Sequence, residues 1–495
     1  MTARRPLLVL LTACVAVLSL LLGGSSAVAG PKDRPPKQPP TQGVPDDQPL
    51  PGYTISNPAL APLVIDGRAT TVRQGVRDHA AYDIEVPARW NGQLVLWAHG
   101  YRGTGTVLTV DTPGFGLREK MLRQGYAWAA SSYARNDYDV ATGVTTTHDL
   151  ARYAAGVLPR RPSRTYIAGV SMGGHVIGRS LEEYPRFYDG ALPMCGVLGD
   201  QELFDYFLSY NLVAQTLAGT PSYPPPADYL TAVVPTIQQR LGLAGLKPGG
   251  PDTTNDLGKQ LRSVTTALTG GTRPGADQAF SVWKDFLFTL FTPDNGGSLA
   301  ANAGRIAQNV DIDYTPDAPV ALDTTVPRIA PTDPASRASR ALTQIPRIEG
   351  RPQVPTLTLH GLGDLFVPFS MEQVYRREVD AHRSGDLLVQ RAIRSAGHCE
   401  FTPTEVGTAW DDLTRWVESR DRRGHGHTKV RGAEHGTKHG TKHGKGSPAS
   451  YRPAGDDVLT ASTVASAGYG CRFTDPTAYA SPQLYATRAL YPRCP

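Results

Sequence analysis

The sequence predicts an α/β protein: a mostly parallel central sheet with helices on both faces, interrupted by a helical cap insertion. Three observations predict it. Apolar strand-like runs alternate with helical patterns between about residues 79 and 200, in the order β-α-β-α-β. The same alternation resumes at Pro355, after a long stretch of different periodicity. Within the first block lies Gly169-Val-Ser171-Met-Gly173, a Gly-x-Ser-x-Gly turn with a strand before it and a helix after it.

The five letters of that turn are weak alone. With 51 Gly among 495 residues, and about one residue in twenty being Ser, random order yields about a quarter of a match. The context is what informs. Residues 165–168 read as a short buried strand, and residues 174–184 as a helix. A side chain at Gly169 or Gly173 would clash with the neighbouring strand or helix. The sharp corner lifts the Ser171 hydroxyl out of the sheet and aims the first N–H groups of the helix at whatever reacts there.

Taken in order, the chain opens with Arg4 and Arg5, an apolar run over 7–22 and Ala27-Val28-Ala29. This is the form of a secretory signal over 1–29. The apolar run is short of the ~20 residues a spanning helix needs, so export to the cell exterior is expected, with no membrane partner once the signal is removed. Residues 30–52 are Pro-rich and polar and read as an extended linker with no core. The α/β core is expected over 53–200 and 347–420, with the cap insertion over 201–346. A net charge of +5, spread along the chain, does not argue for a nucleic-acid partner.

Residues 79–87 alternate apolar and polar, with Tyr82, Ile84 and Val86 on one face of a strand. Residues 93–98 form a continuous apolar run, as in a strand buried on both faces. It ends in His99-Gly100-Tyr101-Arg102-Gly103. A loop there can turn a backbone N–H towards Ser171. Tyr101 is the expected donor, with Met172 supplying a second, and each such donor stabilises an oxyanion by roughly 3–4 kcal/mol. A helix over 115–124 and a strand over 125–132 follow. Tyr133, Arg135 and Asn136 lie just past that strand end, where open α/β sheets place ligands. A helix over 149–158 stops at Pro159.

After a strand over 190–195 the periodicity changes. The clearest helices of the insertion, 201–217 and 279–291, are rich in aromatics: Phe204, Tyr206, Phe207, Tyr210, Phe280, Trp283, Phe286, Phe288 and Phe291. They form either an acyl or aryl pocket or the insertion's own core. A strand over 355–360 then leads to a loop with Asp364. The last strand, 387–393, leads to a loop with His398, ahead of a helix over 404–418. A serine hydroxyl needs a base, and the base needs an acid that fixes its tautomer. Ser171, Asp364 and His398 supply those types, each just past a strand, in the chain order that strand-turn-helix serine sites use. No cofactor or metal is expected.

With these residues in place, the chain resembles the α/β-hydrolase superfamily, in particular secreted bacterial serine hydrolases, over about residues 75–200 and 350–420. The insertion sits where lids of that family occur. The resemblance implies Ser171 as nucleophile, His398 as general base and acid, Asp364 as its orienter, and a covalent acyl-enzyme. Cleavage of carboxylic esters is the expected reaction, with a small-molecule ester as substrate; a serine peptidase of the same fold and a non-catalytic binding protein are the alternatives. The oligomeric state is open.

Cys14 falls in the signal, leaving Cys195, Cys399, Cys471 and Cys494, which allow three pairings in an oxidising compartment. The His398-Cys399 pair is similar to tannase- and feruloyl-esterase-like enzymes, in which a cysteine beside the histidine joins one beside the serine. Here Val170 precedes Ser171, so the resemblance implies a Cys195–Cys399 bridge instead, clamping the histidine loop. Cys471 and Cys494 remain as the second pair. Residues 421–446 are basic, Gly-rich and studded with histidine, and read as a disordered linker. Residues 447–495 are too short for a sizeable core without their disulfide and are expected to pack on the body.

Overall fold

The computed structural model describes residues 44–291, 303–424 and 451–495. The predicted signal, residues 30–43 of the Pro-rich stretch and residues 425–446 of the His-rich stretch lie outside the described residues. So do residues 292–302 of the insertion.

Among the described residues the central sheet has eight strands: β1 (Thr71–Arg77), β2 (Ala80–Val86), β3 (Gln93–Ala98), β4 (Ala127–Ser131), β5 (Arg164–Val170), β6 (Gly190–Met194), β7 (Thr356–Gly361) and β8 (Leu388–Ile393). Their order across the sheet is β1-β2-β4-β3-β5-β6-β7-β8. β2 is antiparallel to both β1 and β4, and every other neighbouring pair is parallel. The sequence reading missed β1. It is a half-exposed edge strand (Thr-Val-Arg-Gln-Gly-Val-Arg) with few apolar side chains. Its pairing with β2, from Thr71 opposite Val86 to Arg77 opposite Ala80, holds it in place.

The longer helices among the described residues are α1 (Leu117–Arg123), α2 (Val140–Val157), α3 (Met172–Glu183), α4 (Glu202–Ala218), α5 (Val234–Arg240), α6 (Asp256–Leu268), α7 (Ala276–Phe288), α8 (Ser370–Ala381) and α9 (Pro403–Gly424). The period of two along the strands sorts them into layers. Leu94 and Leu96 of β3 and Ile167 of β5 face one core, with Val144 of α2 and Val176 and Ile177 of α3. Val95, Trp97 and Tyr166 face the other, with Leu117 and Met121 of α1 and Trp410 and Leu413 of α9. Strands covered on both faces explain the uninterrupted apolar runs.

Several expectations need correction. β2 does not alternate between core and solvent: Asp83 and Glu85 are buried along with Ile84. Glu85 is neutralised by Arg118 at 2.7 Å and also accepts from Thr70 and Trp128. α2 starts at Val140, nine positions before the expected 149. Its first turns hold Thr142-Gly-Val-Thr-Thr-Thr147, a poor helix former by propensity. Asp139 caps them by accepting from the Thr142 N–H at 2.9 Å, and burial of Val140 and Val144 does the rest. Residues 44–52 are not a coreless linker, because Leu50 packs with Ala80 and Ala134. α9 runs past 420, to Gly424.

The insertion shares one continuous core with α2 and α3. Phe204, Tyr206, Phe207, Tyr210, Phe280, Phe288 and Phe291 are all buried in it, so these aromatics build the insertion. Trp283 is only half-buried and Phe286 is exposed. Residues 451–495 are mostly irregular chain against the body. The buried Arg394, one residue past β8, donates to the carbonyls of Tyr469 and Pro492, each at 2.9 Å. A disulfide joins Cys471 and Cys494.

Candidate active site

Ser171 sits between β5 and α3 at φ 57°, ψ −124°, outside the regions an ordinary L-residue occupies. The surrounding backbone enforces that strain. A Cβ on Gly169 would lie 2.3 Å from the Ala98 carbonyl oxygen, and one on Gly173 would lie 2.1 Å from it. Only glycine lets β5 and α3 approach β3 this closely. The Ser171 N–H donates to the Met194 carbonyl at 3.1 Å, tying the corner to β6 as well.

Two loops from the far half of the chain meet this corner. His398 Nε2 lies 2.9 Å from Ser171 Oγ, and His398 Nδ1 lies 2.6 Å from Asp364 Oδ2. The carboxylate can only accept, so Nδ1 carries a proton and leaves Nε2 free to take one from the hydroxyl. Asp364 is fully buried. Its other oxygen accepts the N–H groups of Phe366 and Val367, both at 3.0 Å, which fixes the carboxylate plane. Strand order, strand-turn-helix serine and loops at the ends of β7 and β8 together define one architecture. This is the α/β-hydrolase fold.

In this hydrolase fold the loop carrying His398 is braced by the expected disulfide and by Thr487, Arg488 and Glu400, which sequence reasoning did not single out. Thr487 Oγ1 accepts from the N–H groups of Ala396 (3.0 Å) and Gly397 (2.7 Å) and donates to Glu400 Oε2 at 2.5 Å. Glu400 also accepts from Ser395 Oγ at 2.7 Å, and Arg488 donates to the Glu400 carbonyl at 2.7 Å. Cys195 and Cys399 are joined by a disulfide across 204 residues, with a Cα–Cα separation of 5.3 Å. Its Cys399 sulfur lies 3.4 Å from His398 Nε2. The signal for Thr487 and Arg488 was absent from the sequence, because nothing local marks two polar residues of an irregular tail.

The acid turn is supported from below. His360 Nε2 donates to the Val367 carbonyl at 2.8 Å, and its Nδ1 lies 3.4 Å from Glu372 Oε1. Burial opposes charge on this imidazole, but the adjacent Glu372 carboxylate outweighs it and raises the pKa. Arg273 of the insertion donates to the Leu362 carbonyl at 2.6 Å.

Of the other expected site residues, Met172 opens α3 directly after the serine. Tyr101 is half-buried in the loop after β3, and the preceding Gly100 lies against Ser171. Tyr133 and Asn136 are engaged in packing and backbone contacts. Tyr133 is fully buried, stacked on His99 at 3.8 Å, and Asn136 Nδ2 donates to the carbonyls of Gly105 and Val107. Arg135 is exposed. His99 and His175 are buried and their pKa values fall to about 4: burial is the main cause for both, reinforced by the charge of Arg102 and of Arg179 respectively. Neutral His175 donates from Nε2 to the Pro346 carbonyl (2.7 Å) and accepts at Nδ1 from Tyr138 (3.1 Å), pinning the end of the insertion to α3.

No family model matches the chain. Among curated proteins, an o-phthalyl amidase of Xanthobacter agilis is 24% identical over 404 residues, covering 69% of this chain and 86% of that protein. Among solved structures, an esterase from Aspergillus oryzae aligns with a TM-score of 0.38 at 13% identity, over 66% of this chain and 72% of its own. Feruloyl esterase B from Aspergillus oryzae aligns with a TM-score of 0.36 at 15% identity, over 71% and 81%. Among the described residues no helix is long and apolar enough to cross a membrane, and no group of three or more His, Cys, Asp or Glu could hold a metal ion.

Proposed function

We propose that the protein is an exported serine hydrolase that cleaves carboxylic esters through an acyl-enzyme. The observation that carries this reading is the continuous relay from Ser171 through His398 to Asp364, at 2.9 and 2.6 Å. Ser171 Oγ attacks the carbonyl carbon while its proton passes to His398 Nε2. The developing oxyanion accepts from the backbone N–H groups of Met172 and Tyr101. His398 Nε2–H then protonates the leaving oxygen as the C–O bond breaks. In the second half a water gives a proton to the same nitrogen and attacks the acyl carbon, and Nε2–H returns that proton to Ser171 Oγ as the acyl C–O bond breaks. Asp364 holds the imidazole in one tautomer throughout. Two disulfides and the N-terminal signal pattern support export.

Amide cleavage is the second reading, favoured by the distant relative named as an amidase. Both reactions share the acyl-enzyme and differ in the leaving atom. A fluorophosphonate probe should label the folded protein at Ser171 and leave Ser171→Ala unlabelled. Turnover of p-nitrophenyl esters should exceed that of the matching anilides; anilide-only turnover would select the amidase or peptidase reading. Absence of labelling in folded protein would leave a binding protein on a hydrolase scaffold.

A further inference from the structure

We propose that Trp283, Phe286 and Phe366 form a leaving-group subsite that selects substrates with a flat aromatic leaving group; this rests on the triad reading above. The three rings form one cluster. Phe286 meets Phe366 edge-on at 5.1 Å and Trp283 at 5.5 Å, and Trp283 lies 6.3 Å from Phe366. Phe366 in turn packs against the His398 imidazole, with centroids 5.0 Å apart at 64°. The cluster therefore borders the reacting base.

Phe286 is far more open than the aromatics that build the core of the insertion. Phe204, Phe207, Tyr210, Phe280 and Phe288 are each 2% exposed or less, whereas Phe286 is 38% exposed. Phe286 thus presents an open ring that is joined to the His398 imidazole through Phe366 alone. The cluster is also rigid. Buried Phe207 of α4 stacks behind Phe366 at 6.2 Å. The indole Nε1 of Trp283 donates to the Ala396 carbonyl at 2.6 Å, two residues before His398. That bond satisfies the polar edge of Trp283, locks α7 to the histidine loop and leaves apolar faces for a ligand. Preorganised aromatic faces favour offset or edge-on contact with another ring.

The chemistry of the relay decides which half of the substrate these rings meet. His398 Nε2 must deliver its proton to the leaving atom, so the group bonded to that atom is held beside the imidazole. The acyl carbonyl is drawn instead to N–H groups on the β3 loop and α3, elements that carry none of the three rings.

The test compares kcat/KM for phenyl acetate with that for ethyl acetate in wild type, Phe286→Ala and Phe286→Tyr. The phenyl-to-ethyl ratio should fall about tenfold in Phe286→Ala, mainly through KM, and be restored in Phe286→Tyr. The ratio for methyl benzoate over methyl acetate, where the ring is on the acyl side, should not follow it. An unchanged phenyl-to-ethyl ratio, or a loss confined to the acyl pair, overturns the proposal. Fluorophosphonate labelling of Ser171 in wild type and Phe286→Ala separates the two failures: labelling with no selectivity change removes the subsite alone, and no labelling of wild type removes the triad reading with it.

Discussion

The turn carrying Ser171 is held by backbone pressed on backbone, whereas the loop carrying His398 is held by side chains from distant parts of the chain. At the serine, Gly169 and Gly173 lie against Ala98, and the stretch from Arg164 to Glu183 is self-contained strand, turn and helix. At the histidine, a disulfide from Cys195, an indole from the insertion and the Thr487 hydroxyl converge on Ala396, Gly397 and Cys399. Steric exclusion fixes one partner of the relay and a set of tethers fixes the other. Damage to the first should be abrupt, and damage to the second graded.

Gly173→Ala puts this contrast to its hardest test. The new Cβ would sit 2.1 Å from the Ala98 oxygen, so β3 or the elbow must shift. A displacement near 1 Å at reacting atoms costs on the order of 100-fold in rate. We expect at least that loss in kcat/KM with retained far-UV circular dichroism; near-normal turnover would show that the turn is soft.

Replacing Cys195 and Cys399 together by serine, or reducing the bridge, is the next largest. Loss of a native disulfide costs about 2–5 kcal/mol of stability, read as a lowered Tm. Turnover should drop about tenfold to thirtyfold as the His398 loop loosens. Full activity with free thiols at both positions would remove the clamp from the mechanism.

Thr487→Val should act more mildly. It strips the acceptor from two N–H groups and the donor from Glu400, at about 1–3 kcal/mol for a buried polar group left unpaired. A fewfold fall in kcat with little change in KM is expected, with Thr487→Ser restoring it. A pure stability loss with unchanged kcat would make Thr487 structural only.

The buried histidines should leave turnover at pH 7 untouched and show only in stability. Their folded pKa of about 4 lies below the ordinary value of about 6.5. Between those limits the unfolded chain binds the extra protons, so stability falls as pH drops from about 6.5 to about 4. Each contributes on the order of 3 kcal/mol over that window. Denaturation midpoints should decline accordingly, and His175→Gln should flatten the slope; an unaltered slope would mean that His175 is charged when folded.

The same contrast explains what could be read from the sequence. The elbow was legible because its demands are local: glycines, a strand and a helix within twenty residues. Asp364 and His398 were legible by type and position, each just past an apolar strand. β1 and the first half of α2 were not, because an edge strand with two valines and a Thr-rich helix are held by their neighbours rather than by propensity. Phe286 gave no sign of being exposed among eight other aromatics, since burial is decided by which way α7 turns. Thr487, Arg488 and Glu400 are ordinary polar letters until folding brings residues some ninety positions apart into one hydrogen-bonded group.

That last group has a temporal consequence. A growing chain that has not yet reached residue 487 already holds Ser171, Asp364 and His398, but the His398 loop lacks the hydroxyl that three of its polar groups converge on. On the proposed mechanism, the last severalfold of hydrolytic rate is gained only when the final residues dock on that loop.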